Sequence, residues 1–334
     1  MTGANPHETL AALLNGHVIS RLVSIAAELG VADALKDGPA GYERVAECVG
    51  ANPDSLYRAM RTLAGAGVFR EVEKGVFELT PVGGLLVSDA PESQRSLATL
   101  MWAPWWRQGS DEALHSVLTG ETGFDRVHGS GLFEYLRANP EAAGLFGRAM
   151  TSFTRKETEA IMKARDFSSA SLVVDVGGGF GGLLSSILSA NEGVRGLLYD
   201  LPYVIERAKG MLAQEGFSGR MDFREGDFFK SIPGGGDIFI LKSVLHDWND
   251  EKAGAILANC RKAMADGARL LVIERVVPEG DSPSPAKIMD IAMLVNLGGR
   301  ERTLNEYSAL LESAGFKMMD CIPTASPMSI IEAE

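Results

Sequence analysis

The sequence predicts a doubly wound α/β sheet in the second half of the chain, preceded by a mostly helical first half. From Asp166 onward, short apolar runs typical of buried strands alternate with segments of helical periodicity. Five glycines follow the first of these runs within six positions, a turn typical of nucleotide-binding folds. The region before Asp166 has helical patterns and one strand-like stretch at Val68–Leu79. A chain of 334 residues accommodates two domains, or one domain with a large helical extension.

The elements of the second half follow one another in a regular order. The predicted strands are Leu172–Val176, Gly196–Asp200, Met221–Gly226, Asp237–Val244 and Ala268–Val277. The helices predicted between them are Leu183–Ala190, Tyr203–Gln214 and Asp250–Ala265. A helix at Asn305–Gly315 and two strands, Phe316–Ile322 and Met328–Glu332, end the chain. This closing pair of strands should place an antiparallel strand at the edge of the sheet.

The glycine-rich turn is the strongest single pattern in this half. Gly177, Gly179 and Gly182 fit the spacing Gly-x-Gly-x-x-Gly, which lets a nucleotide-like ligand approach bare backbone at a helix N-terminus. The spacing is also compatible with a tight strand-to-helix turn that binds no ligand.

Three acidic residues fall at the carboxyl ends of predicted strands, where ligands bind in such sheets. Asp175 precedes the glycines, Asp200 ends the second strand, and Asp227 follows the third. An acid at the position of Asp200 can accept both ribose hydroxyl protons. No Arg or Lys lies between Leu172 and Gly193 to bind a phosphate. These charges favour the cationic cofactor S-adenosylmethionine over a dinucleotide such as NAD.

His246 is the candidate for acid–base chemistry. It is the only histidine after Asp166 and follows the fourth predicted strand, on the ligand side of the sheet. Glu274 and Glu301 lie near strand ends or loops and could orient its imidazole. A neutral imidazole, with a reference pKa of about 6.5, could remove the proton of a phenol whose pKa is about 10. A purely structural histidine is the alternative.

The N-terminal region predicts a helix followed by a winged-helix pattern. The helix at Glu8–Gly30 is apolar around most of its circumference, so a partner subunit could cover one side. Helices at Tyr42–Gly50 and from Asn52, with two strands within Val68–Leu79, complete the winged pattern. A DNA-binding regulator is one interpretation, but the helix that would enter the groove offers few basic residues. A structural, dimer-forming role is favoured.

The segment from Pro81 to Phe167 is enriched in aromatic residues and methionine. Core packing accounts for most of these side chains. Some of them could instead line a pocket for a flat aromatic ligand, and the candidates are Trp105, Phe146 and Met150.

Composition argues against several classes of protein. The net charge of −12 disfavours a nucleic-acid partner, because such binding depends on Lys and Arg. Cys48, Cys260 and Cys321 are far apart and form no metal-binding pair, which fits a reducing cytoplasm and no metal. No uninterrupted apolar run reaches the length of a membrane span, and Met1–His7 has no signal-peptide pattern.

Five motifs follow one another in a characteristic order, at Asp175–Gly181, Tyr199–Pro202, Gly226–Phe229, Leu241–Trp248 and Gly298–Thr303. Together they resemble the S-adenosylmethionine-dependent O-methyltransferases of the plant caffeate and bacterial natural-product type. The resemblance covers nearly the whole chain and implies a Rossmann-like methyltransferase sheet with an N-terminal winged-helix dimerisation domain. The expected division is residues 1–95 for dimerisation, 96–166 for a helical linker at the substrate pocket, and 167–334 for the methyltransferase domain.

This resemblance implies a role for each matching residue. The cofactor-binding residues would be Gly177, Gly179, Asp200, Leu201, Asp227, Phe228 and Lys242. His246 would be the general base, flanked by Glu274 and Glu301, with Asp247 as an acid beside it. The positions that face the acceptor would be Met293 and Asn296.

The implied function is a homodimeric O-methyltransferase that acts on an aromatic hydroxyl of a small secondary metabolite. Alternatives from related chemistry are an N-methyltransferase and a hydroxylase or decarboxylase that keeps the cofactor. The retained His246–Asp247 pair makes loss of methyl transfer less expected. Alternatives of another class are a metabolite-sensing winged-helix regulator and an NAD-dependent oxidoreductase.

Overall fold

The computed structural model describes residues 5–212, 217 and 219–334. The chain forms two compact units. The first contains the residues up to Arg107 together with Pro140–Phe153, and the second contains Gln108–Asn139 together with the chain from Thr154 onward. The three-part division at residues 95 and 166 stays a prediction.

The first unit combines helices with a small antiparallel sheet. Its helices are α1 (Pro6–Leu29), α2 (Val31–Ala34), α3 (Tyr42–Val49), α4 (Pro53–Gly65), α5 (Pro81–Gly84) and α6 (Arg95–Leu100). Its strands are β1 (Ala40–Gly41), β2 (Phe69–Glu73) and β3 (Val76–Leu79), in the spatial order β1-β3-β2. The predicted wing is therefore the hairpin β2–β3, and its Phe69 and Phe77 are buried in one apolar cluster with side chains of α3 and α4.

Helix α1 leaves much of its apolar surface uncovered within its unit. The side chain of Asn5 caps its N-terminus, and Gly30 ends it in the left-handed conformation with φ of 77°. Its buried residues are confined to the last two turns, whereas Leu13 and Leu14 are 74% and 65% exposed. Among the described helices, α1 alone is long and apolar enough to cross a membrane by length and composition, with a mean hydropathy of 1.5, although polar residues interrupt its apolar runs.

Five helices follow in the chain, namely α7 (Pro104–Asp111), α8 (Ala113–Thr119), α9 (Gly123–His128), α10 (Leu132–Ala138) and α11 (Pro140–Ala164). Proline and glycine residues mark several of their boundaries. Pro104 and Pro140 begin α7 and α11. Gly120 and Gly129 end α8 and α9 in the left-handed conformation, with φ of 77° and 70°.

The second unit is built on a seven-stranded sheet. Its strands are β4 (Leu172–Val176), β5 (Arg195–Asp200), β6 (Met221–Glu225), β7 (Ile238–Lys242), β8 (Arg269–Arg275), β9 (Met318–Pro323) and β10 (Met328–Ala333). Its helices in this part of the chain are α12 (Gly182–Ala190), α13 (Pro202–Leu212), α14 (Asp250–Ala263), α15 (Pro285–Asn296) and α16 (Leu304–Ser313). The doubly wound fold is confirmed, and the predicted end of one helix at Gln214 lies outside the described residues.

The two closing strands differ from the prediction in one respect. The strand order is β6-β5-β4-β7-β8-β10-β9, and β10 runs antiparallel to both of its neighbours. The antiparallel strand therefore lies one position inside the edge, and the expectation of an antiparallel edge strand is wrong. Ile330 and Ile331 of β10 are fully buried on opposite faces, whereas Met319 and Asp320 of β9 are exposed. The more apolar strand of the pair takes the inner position because only there are both of its faces covered.

Apolar side chains cover both faces of the large sheet. Val174 and Val176 of β4 belong to one cluster with residues of α14, and Val173 belongs to a second cluster with residues of α12. Strand β4 is therefore buried on both faces, as its sequence predicts. Because β5, β4, β7 and β8 are parallel neighbours, their carboxyl ends bring the glycine turn, Asp200 and the loop of His246 to one edge of the sheet.

Candidate active site

The glycine turn after β4 is a tight backbone loop. Gly177, Gly179 and Gly181 have positive φ of 69°, 59° and 78°, a region that disfavours side chains. A Cβ built on Gly177 would lie 2.9 Å from Val244 Cγ2 and 3.5 Å from Phe228 Cε1. The third left-handed position is thus Gly181, whereas Gly182 of the predicted spacing is the first residue of α12. The turn therefore places its backbone next to the loops that carry Val244 and Phe228, at one edge of the sheet.

Asp200 ends β5 and is tied to this turn. Its Oδ2 accepts a hydrogen bond from the N–H of Gly179 at 2.8 Å, and its Oδ1 accepts one from the N–H of Leu201 at 2.7 Å. Burial raises the pKa of Asp200 to about 6, against the effect of these two hydrogen bonds. Each carboxylate oxygen has a second lone pair and can still accept a hydroxyl proton. The structure brings Gly179, Asp200 and Leu201 together, and their role in cofactor binding stays a prediction.

The loop after β6 adds an aromatic wall. The Oδ1 of Asp227 accepts a hydrogen bond from the N–H of Phe229 at 2.9 Å. Asn259 of α14 donates to the carbonyl oxygens of Phe228 and Phe229 at 2.9 and 3.0 Å. These bonds hold the ring of Phe228 beside Gly177. The loop therefore has a fixed backbone and offers a ring face and a carboxylate near the turn.

Lys242 has a partner that the sequence does not reveal. Its Nζ lies 2.7 Å from Oε2 of Glu157 on α11, and Nη2 of Arg275 lies 2.6 Å from Oε1 of the same carboxylate. All three side chains are nearly fully buried. Glu157 is one of several acids on an amphipathic helix, so nothing in the pattern distinguishes it. Its charge offsets part of the positive charge that Lys242 brings to the site.

Asp175 differs from the fixed negative charge that the sequence suggests. It is 2% exposed, and burial raises its pKa to about 7, against an opposing effect of Lys242. Near neutral pH the carboxyl group therefore divides between its neutral and ionised forms. The charge that favours a cationic cofactor then falls mainly to Asp200 and Asp227.

His246 lies in a short turn after β7, at the centre of a cluster of acids. Its Nδ1 lies 3.1 Å from Oε2 of Glu274 and 3.2 Å from Oε1 of Glu301, and its Nε2 lies 3.3 Å from Oδ1 of Asp247. Glu274 and Glu301 have side chains that are 0% exposed, and the side chain of His246 is 9% exposed. Three carboxylates from three segments of the chain thus surround one imidazole.

Backbone bonds hold this turn in place. The Oε1 of Glu274 accepts hydrogen bonds from the N–H groups of Val244 and Leu245 at 3.0 and 2.9 Å. Ser243, which precedes them, is the non-glycine residue with positive φ among the described residues, at 53°. Such a conformation costs about 1 kcal/mol or more and persists where surrounding contacts impose it. Glu274 therefore both shapes the turn and faces the imidazole that the turn carries.

The protonation of this cluster follows from burial and charge. Burial favours the neutral imidazole, but the carboxylates of Glu274 and Asp247 outweigh it and raise the pKa of His246 well above 6.5. Burial opposes ionisation of Glu274, yet the imidazolium and backbone N–H groups hold its pKa below its usual value. Burial raises the pKa of Glu301. The raised pKa of His246 stabilises the fold below pH 6.5, and this contribution is lost as the pH rises through the raised value.

The same cluster has a spacing that could hold a metal ion. One ligand atom from each of His246, Glu274 and Glu301 lies within 4.8 Å of the others. The expectation of a metal-free enzyme rests on the cysteine spacing and on the resemblance, and it stays a prediction.

The residues expected to face the acceptor lie in both units. Met293 and Asn296 are buried on α15, where Asn296 Oδ1 would lie 2.9 Å from a Cβ built on Gly109 of α7. In the first unit, Trp105 packs edge-on to Trp106 with centroids 5.9 Å apart. Phe146 lies 6.1 Å from the ring of Trp106. Phe146 and Met150 are half-buried on α11. Their roles in binding stay predictions.

Comparison with protein families gives two matches. A model of the O-methyltransferase domain matches residues 109–317, and a model of the O-methyltransferase dimerisation domain matches residues 11–89. The chain is 41% identical to the phenazine O-methyltransferase PhzM of Lysobacter antibioticus, over 97% of this chain and 95% of that protein. It is 35% identical to the 8-amino-8-demethylriboflavin N,N-dimethyltransferase of Streptomyces davaonensis, over 92% of this chain and 89% of that protein.

Solved structures show the same similarity. The crystal structure of LaPhzM is 39% identical with a TM-score of 0.93, and the match covers 99% of both chains. NcsB1 from neocarzinostatin biosynthesis was solved in complex with S-adenosylmethionine and 2-hydroxy-5-methyl naphthoic acid. It is 34% identical with a TM-score of 0.81, over 94% of this chain and 95% of that chain.

The substitution Glu274→Gln tests what sets the charge state of His246. A glutamine can keep the hydrogen bonds from Val244 and Leu245 but removes the negative charge beside Nδ1. The pKa of His246 should therefore fall back toward 6.5. Titration of the imidazole followed by NMR measures this change, with the exposed Glu251→Gln as control. An unchanged pKa in Glu274→Gln would show that this carboxylate does not govern the imidazole.

Proposed function

The chain belongs to the O-methyltransferase family, and on that premise we propose that it methylates an aromatic hydroxyl of a small secondary metabolite, with His246 as the general base. The observation that carries this proposal is the buried imidazole between Glu274, Glu301 and Asp247. It lies at the same sheet edge as the glycine turn. The named relatives are bacterial enzymes, and a cytoplasmic location is part of the proposal.

The cofactor proposed for the glycine turn is S-adenosylmethionine, which supplies a methyl group on a positively charged sulfur. Gly177 and Gly179 offer backbone without side chains, as the positive φ values require. Asp200, with Leu201 beside it, would accept the ribose hydroxyl protons through its free lone pairs. The adenine would lie against Phe228 and Asp227, near Lys242. The crystal structure of NcsB1 with S-adenosylmethionine supports this cofactor.

His246 has the surroundings that a general base needs. Because Nδ1 faces Glu274 and Glu301, Nε2 is the atom left to take the proton of the acceptor hydroxyl. The carboxylates of Glu274 and Glu301 stabilise the imidazolium that forms. The acceptor hydroxyl would have to take the place of Asp247 Oδ1, which lies 3.3 Å from Nε2. A phenol, with a pKa of about 10, becomes a competent nucleophile as it loses this proton. Holding the acceptor in line would supply much of the remaining acceleration.

The proposed acceptor is a flat aromatic ring. Met293 and Asn296 of α15 are proposed to contact the acceptor, together with Trp105, Phe146 and Met150. Half-buried aromatic and methionine side chains suit a flat ring. The aromatic ligand in NcsB1 and the phenazine named for PhzM support an aromatic acceptor. One relative is an N,N-dimethyltransferase, so a nitrogen atom is the second candidate for the methyl acceptor.

The proposed enzyme is a homodimer that covers α1 with a second copy of the chain. The dimerisation-domain match includes most of α1, and this match favours a dimer-forming over a DNA-binding N-terminal region. The side chains of Leu10, Leu13, Leu14 and Val18 are 42–74% exposed along this helix, and a partner subunit would bury them.

Light scattering should give about twice the chain mass of 35.7 kDa. The double variant Leu13→Glu, Leu14→Glu should be monomeric, because it places charges in the apolar face. Val72→Glu, at an exposed apolar position of β2, is the control and should stay dimeric. A monomeric wild-type chain at micromolar concentration would contradict the proposal.

Replacement of His246 by Gln should lower turnover by about 10²–10⁴ while S-adenosylhomocysteine affinity stays nearly unchanged. Wild-type turnover should rise with pH through a midpoint above 6.5, because the base must be neutral and its pKa is raised. The variant should lose this dependence. Transfer of a labelled methyl group from S-adenosylmethionine to a panel of phenols, hydroxynaphthoic acids and hydroxyphenazines measures both effects.

The exposed His7→Gln is the matched control for that experiment and should behave as wild type. Wild-type turnover in His246→Gln would remove the residue from the role of base. The assay should proceed equally with a chelator present. Loss of wild-type activity on chelation would instead indicate a metal at His246, Glu274 and Glu301.

The substitution Asp200→Asn tests the cofactor assignment. It removes a charged acceptor at the turn, and hydrogen bonds to charged groups contribute about 1.5–3 kcal/mol. The dissociation constant for S-adenosylmethionine should rise about ten- to a hundredfold in calorimetry. Wild-type affinity should also weaken as the pH falls through about 6, where the carboxylate takes up a proton. Asp222→Asn, at an exposed ion pair on β6, is the control. Wild-type affinity in Asp200→Asn would contradict the ribose assignment.

A further inference from the structure

We propose that Arg302 is a positioning residue that holds the turn of His246 against the carboxylates of Glu274 and Glu301. The inference rests on the proposed role of His246 as base. Arg302 is 1% exposed and is among the largest fully buried side chains of the described residues. A guanidinium buried to this degree requires partners for its donors.

The partners of Arg302 lie on both sides of the base. Its Nη1 donates to the carbonyl oxygen of Leu245 at 3.0 Å, and its Nη2 donates to the carbonyl oxygen of Trp248 at 2.9 Å. Its Nε and Nη2 donate to Oδ1 of Asp250 at 2.9 and 2.7 Å. Leu245 directly precedes His246, and Asp250 begins α14. One planar group therefore fixes the beginning and the end of the turn that carries the imidazole.

The backbone around Arg302 is anchored to the strand that carries Glu274. Val276, which follows β8, forms a β-bridge with Arg302, and the N–H of Val277 donates to the carbonyl oxygen of Arg302 at 2.9 Å. The guanidinium is thus held in register with Glu274, two residues before that bridge. Arg302 and Glu274 are therefore anchored to β8 and its continuation. The position of the imidazole relative to the carboxylates depends on this shared anchor.

Gly299 and Arg300, which precede Arg302 in the same segment, pack against the turn that carries His246. The N–H of Arg300 donates to the carbonyl oxygen of His246 at 2.9 Å. A Cβ built on Gly299 would lie 2.0 Å from that oxygen, so only glycine permits this approach. Together with the side chain of Glu301, these contacts make residues 299–302 a continuous support for the turn. Arg302 is the member of this support that reaches beyond His246 to Trp248 and Asp250.

The effect of Arg302 on the base is one of position. Its charge is offset by the carboxylate of Asp250, which lies within 2.7 Å. The turn it holds includes the strained backbone at Ser243 and would relax without support. A displacement of about 1 Å of a catalytic group can lower a rate about a hundredfold. Loss of the guanidinium should therefore affect the base much more than the cofactor site, which is built on β4 and β5.

The substitution Arg302→Lys keeps the charge and removes the planar set of donors. We expect kcat to fall about ten- to a hundredfold, with the KM for S-adenosylmethionine and the dissociation constant of S-adenosylhomocysteine within about twofold of wild type. NMR should show the pKa of His246 lowered toward 6.5, because the imidazole no longer lies against both carboxylates. Arg269→Lys, at a partly exposed ion pair at the start of β8, is the control and should leave all of these values unchanged.

Asp250→Asn is the second variant, since Arg302→Lys could fail to fold. It weakens the ion pair between Arg302 and residue 250. It creates no cavity in the core, because the Asp250 side chain is 60% exposed. It should change kcat and the pKa of His246 in the same direction by a smaller amount. A lower melting temperature with unchanged kcat and unchanged His246 titration, in whichever variants fold, would make Arg302 a purely structural residue. If His246→Gln keeps wild-type turnover, the proposed base is wrong, an outcome distinct from failure of the Arg302 variants alone.

Discussion

At the end of β8, the buried carboxylate of Glu274 accepts backbone hydrogen bonds from Val244 and Leu245 with one oxygen and faces the imidazole of His246 with the other. A buried carboxylate without such partners would be neutral. With them it stays ionised, and its charge in turn favours the protonated form of His246. The shape of the turn and the charge of its histidine therefore depend on the same group.

This dependence has a consequence for the proposed chemistry. An imidazolium cannot accept a proton, so the raised pKa of His246 would limit its action as a base at low pH. Gly177 approaches Val244, two residues from His246. A positive sulfonium bound at that turn would disfavour a second positive charge on the imidazole. In the proposed mechanism, binding of the cofactor would therefore be coupled to activation of His246 by charge.

Much of the second unit could be predicted because its signals are local. The strand Leu172–Val176 has its predicted boundaries, since an apolar run interrupted only by Asp175 and followed by glycines allows few other structures. His246 and Glu274 were recognisable as candidates because polar residues at strand ends share one edge of a parallel sheet. Glu301 was recognisable from the motif Gly298–Thr303. The inner position of β10 was not predicted. Whether β9 or β10 lies next to β8 depends on contacts between distant segments, which the local pattern of either strand does not show.

The residues that the sequence did not reveal share a different property. Glu157 and Arg302 lie far from the glycine turn and from His246 along the chain, and each acts through partners brought close only by the tertiary fold. Local patterns describe which residues can do chemistry, whereas the residues that hold them in place are defined by contacts between distant segments. An arginine within a charged motif looks like a surface residue, as Arg300 is at 45% exposure. Arg302, two positions later, is buried because its β-bridge to Val276 directs it toward the carbonyl oxygens of the turn that carries His246.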